Sequence, residues 1–247
     1  MPDSTVSSTT YSGRVDPANP HKDRVICYID GYNLYFGLRE KIHAQTSNGQ
    51  HPNLHWKRYL WLDVVKLSES LLQPNQVLLR TKYFTSRIRG KPESEKRQSL
   101  FLEAAYSLPN IKIFFGTFHP DLKECRHCKK TGFHPQEKKT DVNIATQILH
   151  DAIFNNFDTA FLITGDSDQV PTIEMTRSIF RKRIVVFFPP RRHSADLQGV
   201  ATAVYRIGEA KFLQSLLPEK VKLPSGKIIE CPEKWLGKPA ATQNQSK

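Results

Sequence analysis

Apolar residues in this chain gather into short continuous runs, and between the runs they recur every three or four positions. Arg24–Asp30, Val77–Phe84, Ile111–Phe118, Ala160–Ile163 and Arg183–Phe188 have strand length and are rich in Val, Ile, Phe and Tyr. The runs at 25–30, 160–163 and 184–188 are apolar without alternation, the pattern of strands covered on both faces of a parallel sheet. The periodic stretches predict helices over Leu34–Ile42, Trp56–Leu72, Glu93–Tyr106, Thr140–Phe154 and Gln169–Arg181. In the second of these, Leu60, Val64, Leu67 and Leu71 share one face, and the helix stops before Pro74. A short helix from Ser194, a brief strand over Val204–Arg206 and a helix over Ala210–Leu217 complete the pattern. Strands alternating with helices predict an α/β fold of three α/β/α layers around a mostly parallel, Rossmann-like central sheet.

The flanks differ from this body. Residues 1–22 are polar, contain Ser, Thr and Pro, and read as a disordered tail. Residues 23–217 read as one domain, with a polar loop at 44–55 and a polar insertion at 120–136. Residues 218–247 form an extension in which Trp235 is the candidate anchor against the body. No apolar run approaches a membrane span, and the first 21 residues lack the apolar core of a secretory signal, so the cytoplasm is the expected location.

Charge narrows the partners. Among 247 residues, 36 Lys and Arg stand against 24 Asp and Glu, a net charge of +12. A polyanion is the expected partner, nucleic acid ahead of a membrane, because no basic amphipathic helix stands out.

The acids that remain fall at informative points. Asp30 ends the first strand. Asp166 and Asp168 follow the strand at 160–163, in Thr164-Gly165-Asp166-Ser167-Asp168, and Asp141 opens a helix in Lys138-Lys139-Thr140-Asp141. In an open parallel sheet, sites form at the carboxyl ends of the strands, where these acids converge. Singly, each has a plainer reading as a helix cap or dipole partner. Jointly, two carboxylates about 4 Å apart repel by roughly 4 kcal/mol at an effective dielectric near 20. A cluster therefore calls for a cation, and hard oxygen ligands favour Mg²⁺ or Mn²⁺. Such ions assist in-line displacement at phosphorus.

On three motifs the sequence resembles the NYN family of PIN-like nucleases, and within it the bacterial LabA-like branch. These are Tyr28-Ile29-Asp30-Gly31-Tyr32-Asn33, Lys138-Lys139-Thr140-Asp141-Val142 and Thr164-Gly165-Asp166-Ser167-Asp168, in the family's order over about residues 23–217. The resemblance implies a PIN-like fold and a metal-dependent ribonuclease. By position, Asp30, Asp141 and Asp166 would ligate Mg²⁺ or Mn²⁺, and Asp168 would complete the set directly or through water. Asn33 would position a phosphate or a coordinated water, and Thr164 and Ser167 would hydrogen-bond the carboxylates or a phosphate oxygen.

Basic residues flank these motifs: Arg87, Arg89 and Lys91 after the second strand, Lys138 and Lys139 before Asp141, Arg191 and Arg192 after the last long strand. They suit a groove for backbone phosphates of RNA, with DNA open as well because the phosphate chemistry is shared. Arg181, Lys182 and Arg183 precede a strand and belong on the opposite edge. Tyr32 and Tyr35 are candidates to stack a base, with a core role open for Tyr35.

Of four cysteines, Cys27 sits inside a strand pattern and Cys231 in the extension; Cys125 and Cys128 form a CxxC flanked by His119 and His134. That set matches a structural zinc site, with His127 a competing ligand, or else an exposed loop with unused thiols. Two functional readings follow: a metal-dependent ribonuclease, or an RNA-binding module of the same fold without turnover. A phosphatase with Asp30 as nucleophile ranks below both, since no second acid stands two residues on.

Overall fold

The computed structural model describes residues 22–44, 54–124 and 131–236, of which 118–124 and 131–138 are described as backbone alone. The expected tail before residue 22, Cys125, His127 and Cys128, and the side chains of His119 and His134 lie outside what is described, and with them the zinc question.

β1 (Asp23–Asp30) runs straight into α1 (Gly31–His43), so the helix expected from Leu34 begins three residues earlier, with Gly31-Tyr32-Asn33 in its first turn. A 3₁₀ segment (Leu54–Leu60) and α2 (Val64–Ser70) lead to β2 (Gln76–Thr85). The single helix expected over 56–72 is thus broken in two. At the break, Asp63 accepts from the Val65 and Lys66 N–H groups and starts a new helix, while Leu62 bridges Leu216. α3 (Pro92–Tyr106) and β3 (Ile111–Phe115) follow.

The polar insertion folds as an antiparallel hairpin, β4 (Thr117–Glu124) with β5 (Thr131–Lys138). Its register sets Pro120 opposite Pro135, and prolines that donate nothing to a ladder hide such strands from a pattern reading. The chain continues through α4 (Thr140–Ile153), β6 (Thr159–Ile163), a 3₁₀ turn (Ser167–Gln169) and α5 (Val170–Ser178). β7 (Arg183–Phe188), α6 (Ala195–Val200), β8 (Ala203–Arg206) and α7 (Glu209–Gln214) close the main sheet and its cover. A small hairpin, β9 (Lys220–Lys222) with β10 (Ile228–Glu230), precedes Trp235.

The main sheet has the order β3-β2-β1-β6-β7-β8, and every neighbouring pair is parallel. Counting only its own strands in chain order, this is 3-2-1-4-5-6, the doubly wound order whose direction reverses between the first and fourth strands. Alternate residues of β1 face two cores. Val25, Cys27 and Ile29 join α1, α2, α3, α7 and Trp235 on one side. Ile26 and Tyr28 join Ile144 and Ile148 of α4, Ile173 of α5 and Leu197 of α6 on the other. The architecture is the three-layer α/β/α sandwich, and its switch point lies where β1 and β6 end side by side.

Candidate metal centre

Both acids nearest the switch point cap the helix or turn that leaves it. Asp30 accepts the Asn33 N–H at 2.9 Å through Oδ1 and the Thr164 hydroxyl at 3.0 Å through Oδ2. Thr164 Oγ1 in turn accepts the Asp166 N–H at 3.1 Å, and Asp166 Oδ1 accepts the Asp168 N–H at 3.1 Å. Asn33 Oδ1 takes the Gly165 N–H at 3.0 Å and ties α1 to the loop after β6. The capping and site readings of these acids therefore hold together, because a carboxylate oxygen that accepts one N–H keeps a lone pair for another partner.

Asp141 comes from the opposite side, in the first turn of α4. The chain reaches it through Lys139, held at φ 79°, a left-handed conformation that costs a non-glycine residue about 1–2 kcal/mol. One oxygen each of Asp30, Asp141 and Asp166 lie within 4.8 Å of one another. At that separation each charged pair repels by roughly 3 kcal/mol at an effective dielectric near 20. Burial pushes the Asp30 carboxyl up to about 7, against the hydrogen bonds from Asn33 and Thr164, and the neighbouring Asp141 and Asp166 add to the rise. An all-oxygen donor set with excess negative charge fits a hard divalent cation, with Asp30, Asp141 and Asp166 as the residues to hold it.

The other expected site residues fall around this centre. Asp168 and Ser167 are exposed in the 3₁₀ turn, and Asp168 is outside the group of three. Tyr32 donates to the Ser86 carbonyl at 3.1 Å and stacks on Phe36 at 5.8 Å. Arg87 and Arg89 are exposed after β2, with the Arg87 guanidinium 5.0 Å over the Phe115 ring. Lys139 and Arg191 are exposed, and Arg192 pairs with Glu40 of α1. At the far edge of the sheet, Arg183 lies 3.9 Å from Asp23, where β1 begins.

Two supports escaped the pattern reading. Gln169 is buried and donates to the Asp141 carbonyl at 3.3 Å, holding the start of α4 to the loop that carries Asp166. Beneath the site, on the α4 face, Lys82 Nζ lies 2.6 Å from Asp151, which also accepts the Tyr28 hydroxyl at 2.5 Å. The signal for this pair was a lysine inside an otherwise buried strand end, Thr81-Lys82-Tyr83-Phe84.

With this geometry in hand, the comparisons with known proteins define the class. The NYN domain profile matches residues 24–208, most of the chain, and the protein belongs to the NYN domain family. One relative is 6-hydroxy-3-succinoylpyridine 3-monooxygenase HspA of Pseudomonas putida (strain DSM 28022 / S16). It is 27% identical over 267 residues, covering 92% of this chain and 79% of its own. Among solved structures, a Vibrio parahaemolyticus protein of unknown function aligns with a TM-score of 0.47 and 16% identity, over 81% of this chain and 99% of that one.

Proposed function

We propose that this NYN protein is a Mg²⁺- or Mn²⁺-dependent ribonuclease that hydrolyses phosphodiester bonds at the Asp30–Asp141–Asp166 centre. The observation that carries the reading is the convergence of three carboxylate oxygens within 4.8 Å at the switch point of the sheet. A divalent ion held by Asp30, Asp141 and Asp166 would supply positive charge to the phosphate oxygens and favour ionisation of the attacking water. Water adds to phosphorus and the bond to one ester oxygen breaks, leaving a phosphomonoester and a hydroxyl.

In this reading the chain's own residues set the geometry. Thr164 and Asn33 hold the Asp30 carboxylate and the Gly165 backbone in place, and Asp168 and Ser167 stand on the turn beyond Asp166 for contact through solvent. Arg87, Arg89, Lys139, Arg191 and Arg192 take backbone phosphates, and Tyr32 is the ring to stack a base. The +12 net charge fits an RNA strand, whose phosphates dominate affinity. The name of the Pseudomonas putida relative denotes an oxygenase. A centre built from carboxylates alone suits Mg²⁺ or Mn²⁺ and phosphate chemistry better than the mixed histidine and carboxylate sets of iron oxygenases.

The test is cleavage of a labelled RNA and the matching DNA by purified protein with Mn²⁺, with Mg²⁺ and with EDTA, beside an Asp166→Asn variant. Cleavage that needs metal and falls by at least about a hundredfold in the variant is expected. Metal-independent cleavage, or an undiminished variant, overturns the assignment. A folded protein that binds RNA and never cuts it is the RNA-binding module instead.

A further inference from the structure

The loop after β7 forms a second, basic site against the acidic one. Phe188 ends β7 with Arg206 of β8 as its register partner, and the Arg192 N–H closes a turn on the Pro189 carbonyl at 3.1 Å. Phe188, Arg191, Arg192, His193 and Arg206 line a pocket of about 260 Å³. That is below the roughly 300–1,000 Å³ of drug-sized sites, and is the scale of a phosphate with its sugar. Three guanidinium groups line it and, among the described residues, no carboxylate does.

The loop that lines the pocket packs against the loop that carries Asp166. A Cβ placed on Gly165 would fall 2.8 Å from Cβ of Arg192 and 3.4 Å from the His193 nitrogen, so glycine here lets the two loops touch. Gly165 immediately precedes Asp166. At the rim, Arg191 is held at φ 57°, a strained backbone state for a non-glycine residue and one that recurs at ligand clamps. Arg192 reaches Glu40 with Nη2, while its Nε is buried without a hydrogen-bond partner. With Arg191 and Arg206 beside Arg192, the lining of the pocket is cationic, the chemistry of an anion site.

We propose that this pocket is a phosphate subsite separate from the metal centre. It takes a phosphate group of the RNA strand next to the bond to be cut, through Arg191, Arg192 and Arg206. Glu40 is then the internal counter-anion that the incoming phosphate displaces from Arg192. That the phosphate belongs to RNA rests on the ribonuclease reading; the phosphate chemistry does not. A 5′-terminal monoester and an internal diester share that chemistry.

The test is fluorescence anisotropy in EDTA with one 3′-labelled short RNA, made with a 5′-phosphate and with a 5′-hydroxyl. Wild type is compared with Arg191→Asn/Arg206→Gln and with Glu40→Gln. Asparagine is chosen because it tolerates the left-handed backbone, and urea midpoints confirm that the variants are folded. The double variant is expected to bind at least about tenfold more weakly, with the salt slope reduced by roughly 0.7 for one lost single-strand phosphate contact. Glu40→Gln is expected to bind severalfold more tightly. A loss confined to the 5′-phosphorylated RNA assigns the terminal monoester, and an equal loss with both assigns an internal phosphate. Wild-type affinity in the double variant, or no RNA binding by wild type, overturns the proposal, and unchanged or weaker binding by Glu40→Gln removes Glu40 from it. Because no metal is present, a failure of the cleavage assay leaves these outcomes standing, and a failure here leaves the metal centre untouched.

Discussion

Asp30 uses one oxygen to cap α1 and the other to hold Thr164, and it does so 4% exposed, with two further carboxylates close by. Thr164 is the hinge of that arrangement, since its one hydroxyl donates to Asp30 and accepts from the Asp166 N–H. Thr164→Val keeps the shape and removes both bonds, leaving buried polar groups without partners. The expected loss of stability is about 1–3 kcal/mol by urea denaturation, with recovery in Thr164→Ser. A valine variant as stable as wild type would show that the hydroxyl does not hold the two acids. The three motif acids were visible in the sequence because each stands at the end of an apolar run or the start of a periodic one. Gln169 was not, because nothing in its spacing separates a buried tether from a solvated helix residue. Thr164 was named from the motif as a hydrogen-bond partner of the carboxylates, and its hydroxyl joins Asp30, 134 residues away, to the Asp166 N–H two residues on.

Helix α4 carries Asp141 at its first turn and Asp151 near its last, so whatever fixes the far end also aims the near one. The far end is held by the Lys82–Asp151 pair, with Gln147 on Lys82 and Tyr28 and Asn156 on Asp151. Burial alone would push the Asp151 carboxyl up, but hydrogen bonds from Lys82 and Tyr28 outweigh it and hold the group below the usual carboxylate range. Burial pulls the Lys82 ammonium down, against Asp151, yet a neutral Lys82 would leave a buried carboxylate alone, so the pair stands charged. A depressed carboxylate adds stability that is complete above its unfolded value, about 3.9, and is lost as the pH falls through the lower folded value. Asp151→Asn should therefore flatten the acid side of the stability profile below about pH 4, measured as urea midpoints against pH. At neutral pH it should cost about 3–5 kcal/mol, because Lys82 is left buried without its counter-charge. The Lys82→Met/Asp151→Asn double variant should lose less than the sum of the two single changes; additive losses would mean the pair does not act as one unit. The strands around this pair were legible as apolar runs, while the pair itself was not, since a buried lysine and a helical aspartate meet only after the sheet is covered. The break at Trp61–Asp63 was hidden for a related reason: the helical period continues through it, while Asp63 caps a new helix and Leu62 bridges Leu216 only once the chain after α7 is in place.

The doubly wound order positions the candidate site, because β1 and β6 lie side by side in the middle of the sheet and the loops that follow them part to opposite faces. The two faces are not covered alike. The α4 side is closed by α4, α5 and α6, whereas the α1 side is completed by chain that follows the last strand of the sheet. Val221, Ile229 and Trp235 join that core, with the Trp235 ring 6.4 Å from Trp61 and Trp61 6.5 Å from Phe101 of α3. The Trp61 indole also donates to the Pro218 carbonyl at 2.9 Å, so the segment is pinned at both ends. Composition alone marked residues beyond 217 as an extension with one anchor, since three-residue strands leave almost no periodic signal. If that segment belongs to the folding unit, Trp235→Ala should lower stability by about 3 kcal/mol, the low end for removing a buried aromatic. The loss should appear as an earlier urea midpoint with an unchanged slope, because one cooperative unit still unfolds. A shallower slope with an early partial transition would instead mean that the extension frays separately, leaving the α1 layer to stand on the helices alone.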